Sequence, residues 1–109
     1  MYTQDDLNKL LRDFLAKLSE RITIREAYLF GPYSQGEAGE ESDIDIALVS
    51  DEFQGFRYED RKLAYDIVKR DLLKRYYDIE IHPFRTEDFT PDNPFVKEIL
   101  RTGKRIQWS

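Results

Sequence analysis

Two aspartates, Asp43 and Asp45, stand two positions apart in the run Ser42-Asp43-Ile44-Asp45-Ile46. If that run is a strand, the twofold alternation puts both carboxylates on one face, with Cα atoms roughly 6–7 Å apart. Like charges at that range repel, and burying either one is costly. A hard divalent cation relieves both penalties, because Mg²⁺ takes oxygen ligands from one or two carboxylates and from phosphates. An Asp-x-Asp pair on a solvated strand face is common and needs no metal. Aspartate is a poor strand former, however, and two of them alternating with Ile44, Ile46 and Leu48 call for a reason. A calcium loop of the EF-hand type does not fit. It needs a third oxygen ligand and a glycine at fixed offsets, and Ile46-Ala47-Leu48 supplies neither.

A second group of polar residues alternates with apolar ones between Asp78 and Phe84. Asp78, Glu80 and His82 face one way; Ile79 and Ile81 face the other. Glu80 sits mid-strand between the isoleucines, where a charge most needs a partner. Asp78, at the strand's start, is open to solvation. His82 reads as an edge residue. Upstream, an apolar run ends at Phe30 and turns sharply at Gly31-Pro32. Glycine lets a backbone approach phosphate oxygens closely, although Phe30-Gly31 alone is more often a plain turn. The combination is more specific: a strand, a Gly turn, a short Gly-containing loop, then Asp-x-Asp on the next strand.

The segment Leu29-Phe30-Gly31-Pro32-Tyr33-Ser34-Gln35-Gly36-Glu37-Ala38 through Ser42-Asp43-Ile44-Asp45-Ile46 resembles the signature of the minimal nucleotidyltransferases of the polymerase-beta superfamily. Ten residues, Tyr33 to Ser42, separate Gly31-Pro32 from Asp43, a usual spacing for that family. The Ile79-Glu80-Ile81-His82-Pro83-Phe84 segment and the tail from Asn93-Pro94-Phe95 to Gly103 are similar to it as well. The resemblance implies a metal-dependent transfer of a nucleoside monophosphate, AMP from ATP, to a hydroxyl. Asp43 and Asp45 would hold two Mg²⁺ ions (or Mn²⁺), and Glu80 would be the third carboxylate, ligating one metal and helping to deprotonate the attacking hydroxyl. Gly31 would let the loop approach the triphosphate, with Ser34 as a hydroxyl beside it. Family members of this size often act as antitoxins beside a helical HEPN-type toxin and modify a tyrosine on it, which implies such a partner here.

Two positions depart from the family pattern. Pro32 stands where the family has serine, removing a hydroxyl and a backbone N–H. Gln35 replaces a common basic residue. These favour an alternative: a weak or inactive module that neutralises a partner by contact alone. A third reading leaves the carboxylates as surface decoration on a structural subunit.

The elements that must position these residues follow from periodicity. Leu7, Leu10, Leu11, Phe14, Leu15 and Leu18 make one apolar stripe, which predicts a helix from Thr3 to Glu20 with Thr3 as N-cap. Strands are expected over Ile24–Phe30, Asp43–Val49 and Asp78–Phe84, with Pro83 marking an edge or an end. A second helix is expected over Tyr58–Tyr76, with Leu63, Ala64, Ile67, Val68 and Leu72 apolar. A short one follows over Phe95–Arg101, opened by Asn93-Pro94 and closed by Gly103. Residues 33–42 read as a loop with one helical turn at most, and Lys104–Trp108 as a last short strand. The expected class is α+β in two layers: one small mixed sheet packed with helices, in a single domain over 1–109.

Composition bounds the function classes. A chain of 109 residues buries one modest core. Its net charge is −5, from 17 Lys+Arg against 22 Asp+Glu, and the cations are scattered. Tight intrinsic nucleic-acid binding is therefore not expected. There is no cysteine and one histidine, which excludes thiolate and multi-histidine zinc sites. No apolar run approaches the ~18 residues of a membrane span, and the acidic N-terminus lacks an apolar secretory core, so a cytoplasmic location is expected.

Overall fold

A computed structural model describes residues 2–69 and 78–108. The first helix, α1 (Gln4–Ser19), begins at Thr3, whose hydroxyl accepts from the Asp6 amide at 3.1 Å. Asp5 and Asp6 complement the helix dipole in its first turn. Its six stripe residues are all buried, each contributing about 1.5–3 kcal/mol relative to exposure. Strand β1 (Glu26–Phe30) follows, then a single helical turn, α2 (Pro32–Gln35), with proline at its first position. Strand β2 (Ile44–Ser50) leads to α3 (Arg57–Val68) and β3 (Ile79–Arg85). A 3₁₀ turn (Thr86–Asp88), α4 (Pro94–Thr102) and the two-residue β4 (Lys104–Arg105) complete the chain. The expected continuation of the second helix, with Leu72 and the Tyr76-Tyr77 pair, lies outside the described residues. The last strand is shorter than the sequence implies; Trp108 instead packs against the core and donates to the Ser19 hydroxyl at 3.0 Å.

The sheet order is β3-β2-β1-β4. Strand β2 pairs antiparallel with β1 and parallel with β3, so the connection through α3 is a crossover. Pro83 lies on β3, an edge strand, where its missing N–H leaves no ladder bond unmade. Ala27, Leu29, Ile44, Ile46, Leu48, Ile79 and Ile81 form one face and join α1 and α3 in the main core. The alternate residues form the other face, partly covered by the 3₁₀ turn and α4. There Phe89 stacks on Tyr28 at 5.4 Å, and Phe95 meets Phe30 edge-on at 5.5 Å. The mixed α+β fold is thus as expected, with α4 adding cover on a second side.

Asp43 was expected inside a strand, but β2 begins at Ile44. Both neighbouring ladders end there. The β1 register stops at Phe30 opposite Asp45, and the β3 register starts at Ile79 opposite Ile44. Among the described residues, neither register extends to Asp43.

Candidate active site

The site is built where β1 ends and β2 and β3 begin. The parallel register sets Asp45 beside Glu80 on the less covered face of the sheet. Asp45 retains 18% side-chain exposure and Glu80 35%. Among the described residues, Asp45, Glu80 and His82 each offer a ligand atom, all within 4.8 Å of one another. Asp43 is exposed and is not in that group. Asp78 is exposed too, and its carboxylate accepts from the Tyr2 hydroxyl at 2.8 Å. The two candidates for a third carboxylate are therefore placed differently: Glu80 beside Asp45, Asp78 tied to the N-terminal segment.

Gly31 explains itself by what it touches. Its φ of +71° lies in the region that side chains rarely adopt. A Cβ there would come within 2.5 Å of Asp45 Oδ2. The glycine makes room for the carboxylate, a role not legible from the sequence. Ser34 is buried one turn on, and its hydroxyl donates to the Gly31 carbonyl at 2.9 Å. Its single proton is thus engaged in fixing the turn.

His82 is the residue that sequence reasoning undervalued. Its Nε2 lies 3.1 Å from Asp45 Oδ1, and its Nδ1 lies 3.1 Å from an Arg57 guanidinium nitrogen. The available signal was its shared facing with Glu80. Arg57 carried none, because its contact depends on how α3 docks. Burial pushes the Asp45 carboxyl above the usual range; the His82 hydrogen bond opposes this, and the Glu80 charge pushes it further up. Burial likewise pushes His82 below its ordinary value; the Asp45 hydrogen bond opposes, and the Arg57 charge adds to the fall.

The donor set fits a hard cation. Two carboxylates on adjacent strands, one held above its normal pKa, gain from a divalent ion with oxygen preference. A sole imidazole cannot make a zinc site of the usual kind.

A mixed sheet presenting paired carboxylates beside a glycine turn is an arrangement suited to phosphoryl-group chemistry. A family model described as nucleotidyltransferase domain matches residues 9–106, and the chain belongs to that family. It is accordingly a nucleotidyltransferase. A protein of Methanocaldococcus jannaschii, to which the name protein adenylyltransferase is provisionally assigned, is 31% identical over 106 residues, covering 92% of this chain and 70% of that protein. Among solved structures, a provisionally named nucleotidyltransferase from Sulfolobus solfataricus matches with a TM-score of 0.61 at 17% identity, covering 94% of this chain and 80% of the other. A toxin–antitoxin structure with AMP-PNP matches with a TM-score of 0.57 at 21% identity, covering 90% of this chain and 73% of the other. At those identities the structures speak to the fold. Among the described residues, no helix is long and apolar enough to cross a membrane.

Proposed function

We propose that the chain transfers AMP from ATP to a hydroxyl of a partner protein, with Asp43, Asp45 and Glu80 as the metal-binding carboxylates. The observation that carries this reading is the register that sets Asp45 against Glu80 beside the Gly31 turn. Bound Mg²⁺ at these carboxylates would supply charge neutralisation at the α-phosphate and the leaving pyrophosphate. Asp45 provides the most enclosed ligand. Asp43, exposed two residues before Asp45, would be the further ligand. Glu80 takes the proton of the attacking hydroxyl as that oxygen bonds to the α-phosphorus. The bond from the α-phosphorus to the bridging oxygen breaks, and pyrophosphate departs with it. Gly31, with no side chain, lets the turn lie against Asp45 and would let a triphosphate approach the backbone there. Ser34 fixes that turn, and serves as a phosphate donor only if its hydroxyl leaves the Gly31 carbonyl.

The adenylyltransferase relative and the toxin–antitoxin neighbour support a partner-borne acceptor. The resemblance points to a tyrosine on a small helical HEPN-type toxin. A second reading, neutralisation by contact alone, rests on Pro32 and Gln35. The deciding experiment incubates the protein, Mg²⁺ and α-labelled ATP with the product of the neighbouring reading frame. Label on the partner with stoichiometric pyrophosphate supports transfer. Tight binding of the partner without pyrophosphate release supports the second reading.

A further inference from the structure

His82 is not needed by the carboxylate reading, yet it is buried in the middle of the site. The guanidinium of Arg57 can only donate, so at 3.1 Å Nδ1 must accept. The neutral ring then carries its proton on Nε2, which donates to Asp45 Oδ1 at 3.1 Å. This tautomer follows from the chemistry of the two partners, not from hydrogen positions. A nitrogen carrying that proton has no lone pair in the ring plane to offer a metal.

The ring itself has little freedom. Phe30 meets it edge-on at 4.9 Å and Phe95 at 5.9 Å. Arg57 is the first residue of α3, and the chain entering that helix is anchored as well. Buried Asp60 accepts from the Gln54 and Gly55 amides, both at 2.9 Å. Asp45 is therefore held from two sides: Oδ1 by His82, and Oδ2 against the bare Cα of Gly31.

We propose that His82 is a positioning residue, whose Nε2–H, fixed in that tautomer by Arg57, orients the Asp45 carboxylate for the cation without ligating it. This rests on reading Asp45 as a metal ligand. Removing such an outer partner typically costs 10–100-fold in metal affinity or activity.

The test is Mn²⁺ binding to the full chain, followed by electron paramagnetic resonance, with a thermal melt of each variant alongside. His82→Leu is expected to weaken Mn²⁺ by about 10–100-fold. His82→Gln, whose amide N–H can reach Asp45, is expected to recover most of that loss. Mn²⁺ bound to the unaltered protein should show no coupling to a directly coordinated nitrogen, a readout that needs no variant to fold. Unchanged binding in His82→Leu would overturn the proposal, as would equal damage in a folded His82→Gln or a directly bound nitrogen in the unaltered protein. Asp45→Asn separates the two levels. If it binds Mn²⁺ normally, the carboxylate site itself fails; if it loses Mn²⁺ while His82→Leu keeps it, only the positioning role fails.

Discussion

The two faces of the sheet obey different rules. On the face covered by α1 and α3, Ile44, Ile46, Leu48, Ile79 and Ile81 are all buried, and every one is aliphatic. On the other face, Asp45, Glu80 and His82 alternate with those same residues, under a thinner cover of Phe30, Phe84, Phe89 and Phe95. One face supplies stability by removing apolar area from water. The other gathers like charges, and the Glu80 charge adds to burial in raising the Asp45 carboxyl above its usual range. Strand alternation lets a single segment serve both ends, because adjacent residues never share a face.

Variants on each face should separate these roles. The largest effect is expected from Asp45→Asn. Losing a ligand removes several kcal/mol of transition-state charge stabilisation, so adenylyl transfer should fall by about a thousandfold or more while the fold persists. Glu80→Gln should be nearly as damaging. On the opposite face, Phe14→Ala leaves a cavity beneath a fully buried ring and should cost about 3–5 kcal/mol. At roughly 4–8 °C per kcal/mol, the melting temperature should drop by more than about 10 °C. The surviving folded fraction should still respond to Mg²⁺. If Phe14→Ala instead loses the metal response in its folded fraction, the faces are not independent.

Gly31→Ala lies between these cases. An unfavourable φ and the contact with Asp45 together should destabilise by about 1–3 kcal/mol, and should also displace the carboxylate. A melt and an activity assay on one sample check both. The smallest effect is expected from Asp78→Asn, which removes the charge but keeps an oxygen that can accept from the Tyr2 hydroxyl, so stability should change by no more than about 0.5 kcal/mol and catalysis should stay near normal. Inactivation by Asp78→Asn with Glu80→Gln tolerated would exchange their roles.

The fold was largely legible because both periods were clean. The stripe of α1 and the alternation of β2 and β3 left little ambiguity, and the Thr3 cap and the Asn93-Pro94 start are local chemistry. The Asn93 carboxamide indeed accepts from the Phe95 amide at 2.9 Å. Local pattern misled at Asp43, where alternation continues but both partner strands stop. Contacts between distant residues were illegible. Arg57 and His82 are brought together only by the crossover, and Gly31 meets Asp45 only through the β1–β2 register.

The raised Asp45 pKa has a definite sign. The folded form binds the proton more tightly than the unfolded chain, so stability falls as pH rises from the ordinary aspartate range through the raised folded value. Above that window the penalty is fully present. Removing the charge should therefore stabilise the metal-free protein at neutral pH, and that advantage should vanish below the ordinary aspartate range.

Thermal melting of the unaltered protein and Asp45→Asn, each with and without Mg²⁺, is the most direct test of the carboxylate site. An ion that binds only the folded form adds about 2.7 kcal/mol at a hundredfold excess over Kd, a rise of roughly 4–8 °C for each kcal/mol. The expected result is that Asp45→Asn melts higher than the unaltered protein in metal-free buffer at neutral pH and scarcely responds to Mg²⁺, while the unaltered protein rises. If the two melt alike and respond alike, Asp45 holds no cation and the site is not the one described.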